Sequence, residues 1–163
     1  MTLRPTLLLL ALTIATTSAV AQDWKKSLKD AAKQQAQGKV ESSLGLAKAA
    51  PAGAATYIIN LKDGDTVSNP VLVQFGLKNA GVAPAGTQGE TTGHHHLLVD
   101  DPQVDLTVAL PMTDNIKHFG GGQTEITLTL KPGKHTLQLL FADWKHQSFN
   151  PAVMSPKITI TVK

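Results

Sequence analysis

The chain has 163 residues, no cysteine and a formal net charge of +3, which excludes disulfides, thiolate ligands, a cysteine nucleophile and a lipid-bearing cysteine. The charge is unevenly placed: residues 22–50 hold six lysines against Asp23, Asp30 and Glu41, whereas residues 51–163 hold eight lysines against nine acids. A domain that binds nucleic acid concentrates cations and stacking aromatics on its own surface, and a near-neutral domain in a chain with 4% aromatics argues against that role.

The opening, "MTLRPTLLLLALTIATTSAVAQD", places Arg4 before an apolar run from Leu7 to Ala15 and ends on small residues at an A-x-A site. The run is too short to span a bilayer, so residues 1–21 are expected to be a secretory signal peptide cleaved after Ala21. The chain is therefore expected in the periplasm or secreted, and not as an integral membrane protein. Residues 22–55 read as a lysine- and alanine-rich tail and linker. Within it "DWKKSLKDAAKQQAQ", residues 23–37, is rich in helix formers, with Asp23 as an N-cap, Gly38 as a stop, and Trp24, Leu28 and Ala31 on one face. Residues 39–55 turn to Ala, Gly and Ser around Pro51, as linkers do.

From residue 56 to 163 the apolar period becomes two. "TYIINL" aligns Tyr57, Ile59 and Leu61; "VLVQFGL" aligns Val71, Val73, Phe75 and Leu77; "VDLTVAL" aligns Val104, Leu106, Val108 and Leu110. "ITLTL" aligns Ile126, Leu128 and Leu130; "HTLQLLF" aligns Leu137, Leu139 and Phe141; "ITITV" aligns Ile158, Ile160 and Val162. Each predicts a strand with one buried face. With the strand around the triple histidine this makes about seven, separated by the turn segments "KDGD", "SNP", "PAG" and "KPGK" and by no helical pattern. The expected architecture is all-β: an immunoglobulin-like antiparallel sandwich, with a jelly roll as the alternative.

The chemistry-bearing feature is "TGHHHLLVD", which spends three of six histidines in succession. On a strand, His94 and His96 project from one side with Cα atoms about 7 Å apart, a His-x-His pair whose rings can meet on one ion. His95, with Leu97 and Val99, belongs to the opposite face. A metal site needs at least a third ligand. "NIKHFGGGQTE" supplies His118, and "ADWKHQSFNP" supplies His146, so the candidate ligands are His94, His96, His118 and His146. Their candidate supports are His95, Gln123, Glu125 and Asp143. His135 is in phase with Leu137 and Leu139 and reads as a packed, hydrogen-bonded residue at a strand start. Ligation by imidazole without thiolate favours copper, zinc or nickel over calcium and magnesium, and Met112 or Met154 could soften a copper site. Gly120, Gly121 and Gly122 are followed by neither lysine nor a helix, so they do not form a phosphate loop; they predict a close backbone approach or a positive φ. Residues 84–93 predict a loop able to cover the site.

The segments "APAG…TGHHHLLVD", "HFGGGQTEITLTLKPGKHTLQLLFAD" and "PAVMSPKITITVK" together resemble the bacterial envelope family catalogued as domain of unknown function 4399, over about Thr56 to Lys163. The resemblance implies an exported domain with no established activity. The family's histidine positions match at His94, His95, His96, His118, His135 and His146. Relatives often carry further histidines where this chain has Trp144 and Phe149, and an acid where it has Asn150, which implies a thinner site here.

Three classes of function follow. The first is a periplasmic binding module with a transition metal on the four histidines. The second is a non-enzymatic envelope domain, with an envelope protein as partner, whose histidines form a hydrogen-bonded polar cluster. The third is an enzyme, against which stand the absence of G-x-S-x-G, of an acidic pair at glycosidase spacing, and of the ligand pattern of copper–zinc superoxide dismutases. Three imidazole nitrogens able to meet at one point would favour the first class; dispersed or individually paired rings would favour the second.

Overall fold

The computed structural model describes residues 22–30, 32–33 and 47–163. The expected signal peptide, residues 1–21, Ala31 and Gly38 of the expected helix and its stop, and residues 39–46 of the expected linker lie outside the described residues. The chain divides into two units, residues 1–37 and 38–163. In the first, residues 22–30 and 32–33 are helical, and Trp24 and Leu28 are exposed on that helix. Among the described residues no helix is long and apolar enough to cross a membrane.

The second unit is an open all-β sandwich of two sheets. The smaller has the order β1 (Ala55–Ile58), β3 (Val71–Lys78), β7 (Glu125–Leu128), all antiparallel. The larger runs β2 (Thr66–Val67), β10 (Ile158–Val162), β8 (Gly133–Ala142), β5 (Thr92–Val99), β4 (Gly81–Val82). Two more strands extend its rows, β6 (Ile116–His118) beside β5 and β9 (Ser148–Met154) beside β8. The long strands β5 and β8 pair antiparallel at its centre, from His94 opposite Ala142 to Val99 opposite Leu137.

The core between the sheets follows from the alternation. Val71, Val73 and Phe75 of β3, with Leu128, meet Leu97 and Val99 of β5, Leu137 and Leu139 of β8, and Ile158, Ile160 and Val162 of β10. Each such side chain removed from water contributes about 1.5–3 kcal/mol, so this face supplies most of the driving force for the sandwich. The expected strands at 71–77, 126–130, 137–141 and 158–162 present the expected faces inward.

Two expectations are corrected. Strand β1 buries Thr56, whereas Tyr57 and Ile59 point outward. Tyr57 stands opposite Gly76 and its ring occupies the space a side chain there would fill, so the bare glycine accommodates the aromatic on the outer surface. Residues 104–110 form no strand. Asp105 Oδ1 accepts hydrogen bonds from Thr107 N (2.9 Å) and Thr107 Oγ1 (2.6 Å), a local side-chain turn that competes with a sheet ladder. The apolar residues of this loop are still used: Val104, Leu106 and Leu110 pack on Leu140 and Ala142 of β8 and Met154 of β9, while Val108 is exposed. The loop is a lid over the outer face of the larger sheet. It explains why β5 is buried continuously from Gly93 to Val99 and β8 from Leu139 to Ala142: at this end both faces of the sheet are covered.

Candidate metal centre

His94, His96 and Leu98 lie on the lid-covered face of β5; His95 lies on the face turned to the smaller sheet. Antiparallel pairing sets His118 of β6 directly opposite His96, so the two imidazoles share that outer face. His146 arrives from the turn that follows β8. There Asp143 organises the backbone: its Oδ1 accepts from Lys145 N (2.8 Å) and Gln147 N (2.9 Å), its carbonyl accepts from His146 N (3.0 Å), and its own N donates to Gln147 O (2.9 Å). His146 is held at φ 67°, a left-handed conformation that costs a side-chain-bearing residue about 1–2 kcal/mol. The lid is pinned to the same turn, since Leu110 N donates to His146 O (2.8 Å).

The four rings form a compact cluster. Five of the six centroid separations lie between 4.7 and 5.2 Å, and the sixth, His96 to His146, is 6.0 Å. Four points at nearly equal mutual distances are the corners of a tetrahedron. An ion held by four imidazoles at about 2.0–2.1 Å per nitrogen would place the ring centres about 5 Å apart in that arrangement. One ring nitrogen from each of His94, His96 and His118 lies within 4.8 Å of the others. His146 joins through its Nε2, 3.0 Å from His118 Nε2.

The electrostatics favour the neutral form of His94, His96 and His118. Burial, with repulsion from His146, His118 and His95, lowers the pKa of His94 from 6.5 to about 4. Burial, followed by repulsion from the neighbouring histidines, lowers His96 to about 3, and burial with repulsion from His146 lowers His118. A neutral imidazole has a lone pair to offer a cation. His94 and His96 are wholly buried, and among the described residues neither ring nitrogen of either has a hydrogen-bond partner. Leaving a buried polar atom unpaired costs about 1–3 kcal/mol, and a cation would satisfy the lone-pair nitrogen on each of these two rings.

The surrounding loops explain the glycines. A Cβ at Gly120 would collide with Cε1 and Nε2 of His118, and Gly122 turns at φ 81°. Both readings of the glycine run, close approach and positive φ, apply, each to a different glycine. The loop expected to cover the site is tied down beside it: Ala85 N donates to Gly120 O (2.8 Å) and Gly86 N to Trp144 O (3.0 Å).

Of the expected supports, Asp143 orders the His146 turn as described. His95 packs instead between Phe75 and Phe141 in the sandwich interior, its Nδ1 3.3 Å from Thr56 Oγ1, and burial lowers its pKa to about 4. Gln123 accepts from Gly121 N (2.9 Å), and Glu125 accepts from Gln74 Nε2 (3.1 Å) on the smaller sheet. Neither is hydrogen-bonded to a histidine of the cluster. His135 is a structural residue, with Nδ1 2.9 Å from Asp100 Oδ1 and Nε2 2.8 Å from the Lys131 carbonyl. Met154 packs under the lid, whereas Met112 is exposed in a shallow depression that also includes Ile116, Lys117 and His118. The lid itself was missed by sequence reasoning, although "LQLLFA", apolar at both parities, was a signal that a second layer covers β8.

Fold and site together define an open β-sandwich with a four-histidine cluster, two of its rings fully buried, on the outer face of its larger sheet. The chain belongs to the family described as Domain of unknown function (DUF4399), whose pattern it matches over residues 73–163. No curated protein and no solved structure matches it. The matched region contains all six histidines. At one position where relatives were expected to add a histidine, Phe149 is buried in the sandwich interior and stacks on Phe141 (6.0 Å, 8°), so that side chain belongs to a different cluster from the four imidazoles.

Proposed function

We propose that this protein is an exported binding module that holds one transition-metal ion, copper or zinc, on His94, His96, His118 and His146. The observation that carries the reading is that the buried rings of His94 and His96, each with an unpaired nitrogen to offer one ion, stand in a near-tetrahedral group of four imidazoles. A purely structural histidine cluster would be expected to satisfy its own donors and acceptors, as His135 does with Asp100 and Lys131. The pair His118–His146 satisfies that expectation; His94 and His96 do not. Binding draws the nitrogens of His94, His96 and His118 from separations of up to 4.8 Å towards about 3.3 Å, a contraction that side-chain rotation can supply. Export is supported by the signal-peptide pattern of residues 1–21, and the mature protein is expected to begin at Gln22.

Calorimetric titration with Zn(II) and with copper tests the site. One ion per chain is expected to bind, and His118→Ala/His146→Ala is expected to bind at least about a hundredfold more weakly. Equal, weak binding by both proteins would leave the cluster a structural one. The mass of protein recovered from the periplasm checks cleavage after Ala21.

A further inference from the structure

We propose that the four-histidine site selects monovalent copper, Cu(I), over zinc and over cupric copper; this deepens the metal-site reading above and rests on it. The first argument is geometric. A square-planar set of rings would make two of the six centroid separations about 1.4 times the other four, as tetragonal Cu(II) and Ni(II) sites require. Here the single longer separation is 6.0 Å beside five of 4.7–5.2 Å, which is the tetrahedral pattern favoured by the d10 ions Cu(I) and Zn(II).

The second argument is charge, and it separates those two ions. All the donors are imidazoles, which carry no negative charge, and among the described residues the group of ligating side chains close enough for an ion includes no carboxylate. Asp143, the acid nearest to His146 along the chain, spends its Oδ1 on the amides of Lys145 and Gln147. His94 and His96 are fully buried, and among the described residues no carboxylate accepts a hydrogen bond from either ring to offset a positive ion behind them. The cost of taking an ion out of water rises with the square of its charge, so an uncompensated dication costs about four times as much as a monocation of similar size. Four protein ligands also leave no corner of the tetrahedron for a hydroxide that would neutralise zinc. Where His118 reaches the surface depression, Met112 is exposed, and its thioether is a soft donor suited to Cu(I) at the approach to the site.

The test uses the full folded chain under anaerobic conditions, with a chromogenic Cu(I) chelator as competitor and parallel titrations with Zn(II) and Cu(II). The expected result is one Cu(I) withdrawn per chain, bound at least about a thousandfold tighter than Zn(II), with an X-ray absorption spectrum showing a nitrogen shell at about 2.0–2.1 Å. Zn(II) or Cu(II) binding as tightly as Cu(I) would overturn the selectivity while leaving the metal site in place. Binding of all three ions no tighter than to His118→Ala/His146→Ala would overturn both. That variant removes two partly exposed rings and leaves the buried strand residues intact, and circular dichroism verifies that it folds.

Discussion

His96 and His118 are direct cross-strand partners on β5 and β6, and the register of that one pairing brings two distant stretches of chain to the same imidazole cluster. The pairing fixes the backbone of both residues on rigid strands, whereas His146 is carried by a turn. The cluster therefore has a rigid part, His94, His96 and His118, and an adjustable corner. The longest ring separation, 6.0 Å between His96 and His146, falls on that corner.

The glycine beside His118 is a steric requirement of the site. Gly120→Ala is expected to displace the His118 ring and weaken metal binding about tenfold to a hundredfold, although no ligand is removed. In Gly121→Ala the new methyl would lie 3.0 Å from the exposed Gln123 side chain, which can move, and affinity is expected to stay within about threefold. Calorimetry on the two variants checks the contrast; equal affinities would detach the glycine loop from the site.

Asp143 acts on the cluster through the backbone it organises. Asp143→Ala removes the acceptor for two part-buried turn amides and is expected to cost about 1–2 kcal/mol of stability, measured by urea unfolding. It is also expected to lower metal affinity by releasing His146 from its left-handed conformation. Unchanged affinity in a destabilised variant would show that His146 contributes no ligation.

His95 supplies the control for histidine content. His95→Leu places an apolar side chain among Phe75 and Phe141 and removes the buried, unpartnered Nε2, while Thr56 Oγ1 keeps its bond to Gly76 O at 3.1 Å. The variant is expected to be as stable as the parent or about 1–2 kcal/mol more stable, with metal binding unchanged, because this ring faces the other side of the sheet. Lost metal binding in a folded His95→Leu protein would place the site on the wrong face.

Stability of the metal-free protein is expected to fall on acidification. Unfolded histidines titrate near 6.5, whereas folded His94 and His95 are held near 4 and His96 near 3. Above about pH 6.5 both states are neutral and stability is flat. Below it the unfolded chain binds protons that the folded chain refuses, at a cost approaching 1.4 kcal/mol per pH unit for each histidine, or roughly 4 kcal/mol for the three. A domain of ordinary stability is therefore expected to unfold between about pH 6 and 4, and metal at a thousand times its dissociation constant adds about 4 kcal/mol and shifts that transition to lower pH. Far-ultraviolet circular dichroism against pH, with and without metal, measures both; a flat profile down to pH 4.5 would contradict the buried, neutral state of these rings.

How much was legible beforehand varies by element. Period-two alternation identified β3, β5, β7, β8 and β10, because apolar residues on one side of a strand must face a core whatever lies opposite. The same rule misplaced β1, where an aromatic covering Gly76 reversed the parity, and it produced a strand at 104–110, where an aspartate bound its neighbour's amide instead. Strand β9 went unseen because Pro151 interrupts its pattern, and proline is tolerated there because it falls where the β8–β9 register shifts, between Ser148 and Val153.

The residue order by itself determined which side chains could serve as ligands and that His94 and His96 share a side, since adjacent residues on a strand alternate by covalent geometry. It also determined the cysteine-free, strand-rich character of the domain. Only the tertiary structure decided that His118 and His146 come to that side and that a lid packs over the outer face of the same sheet. Those outcomes depend on strand register and on what packs over each face. Both are set by contacts between segments far apart in the chain, which no local pattern encodes.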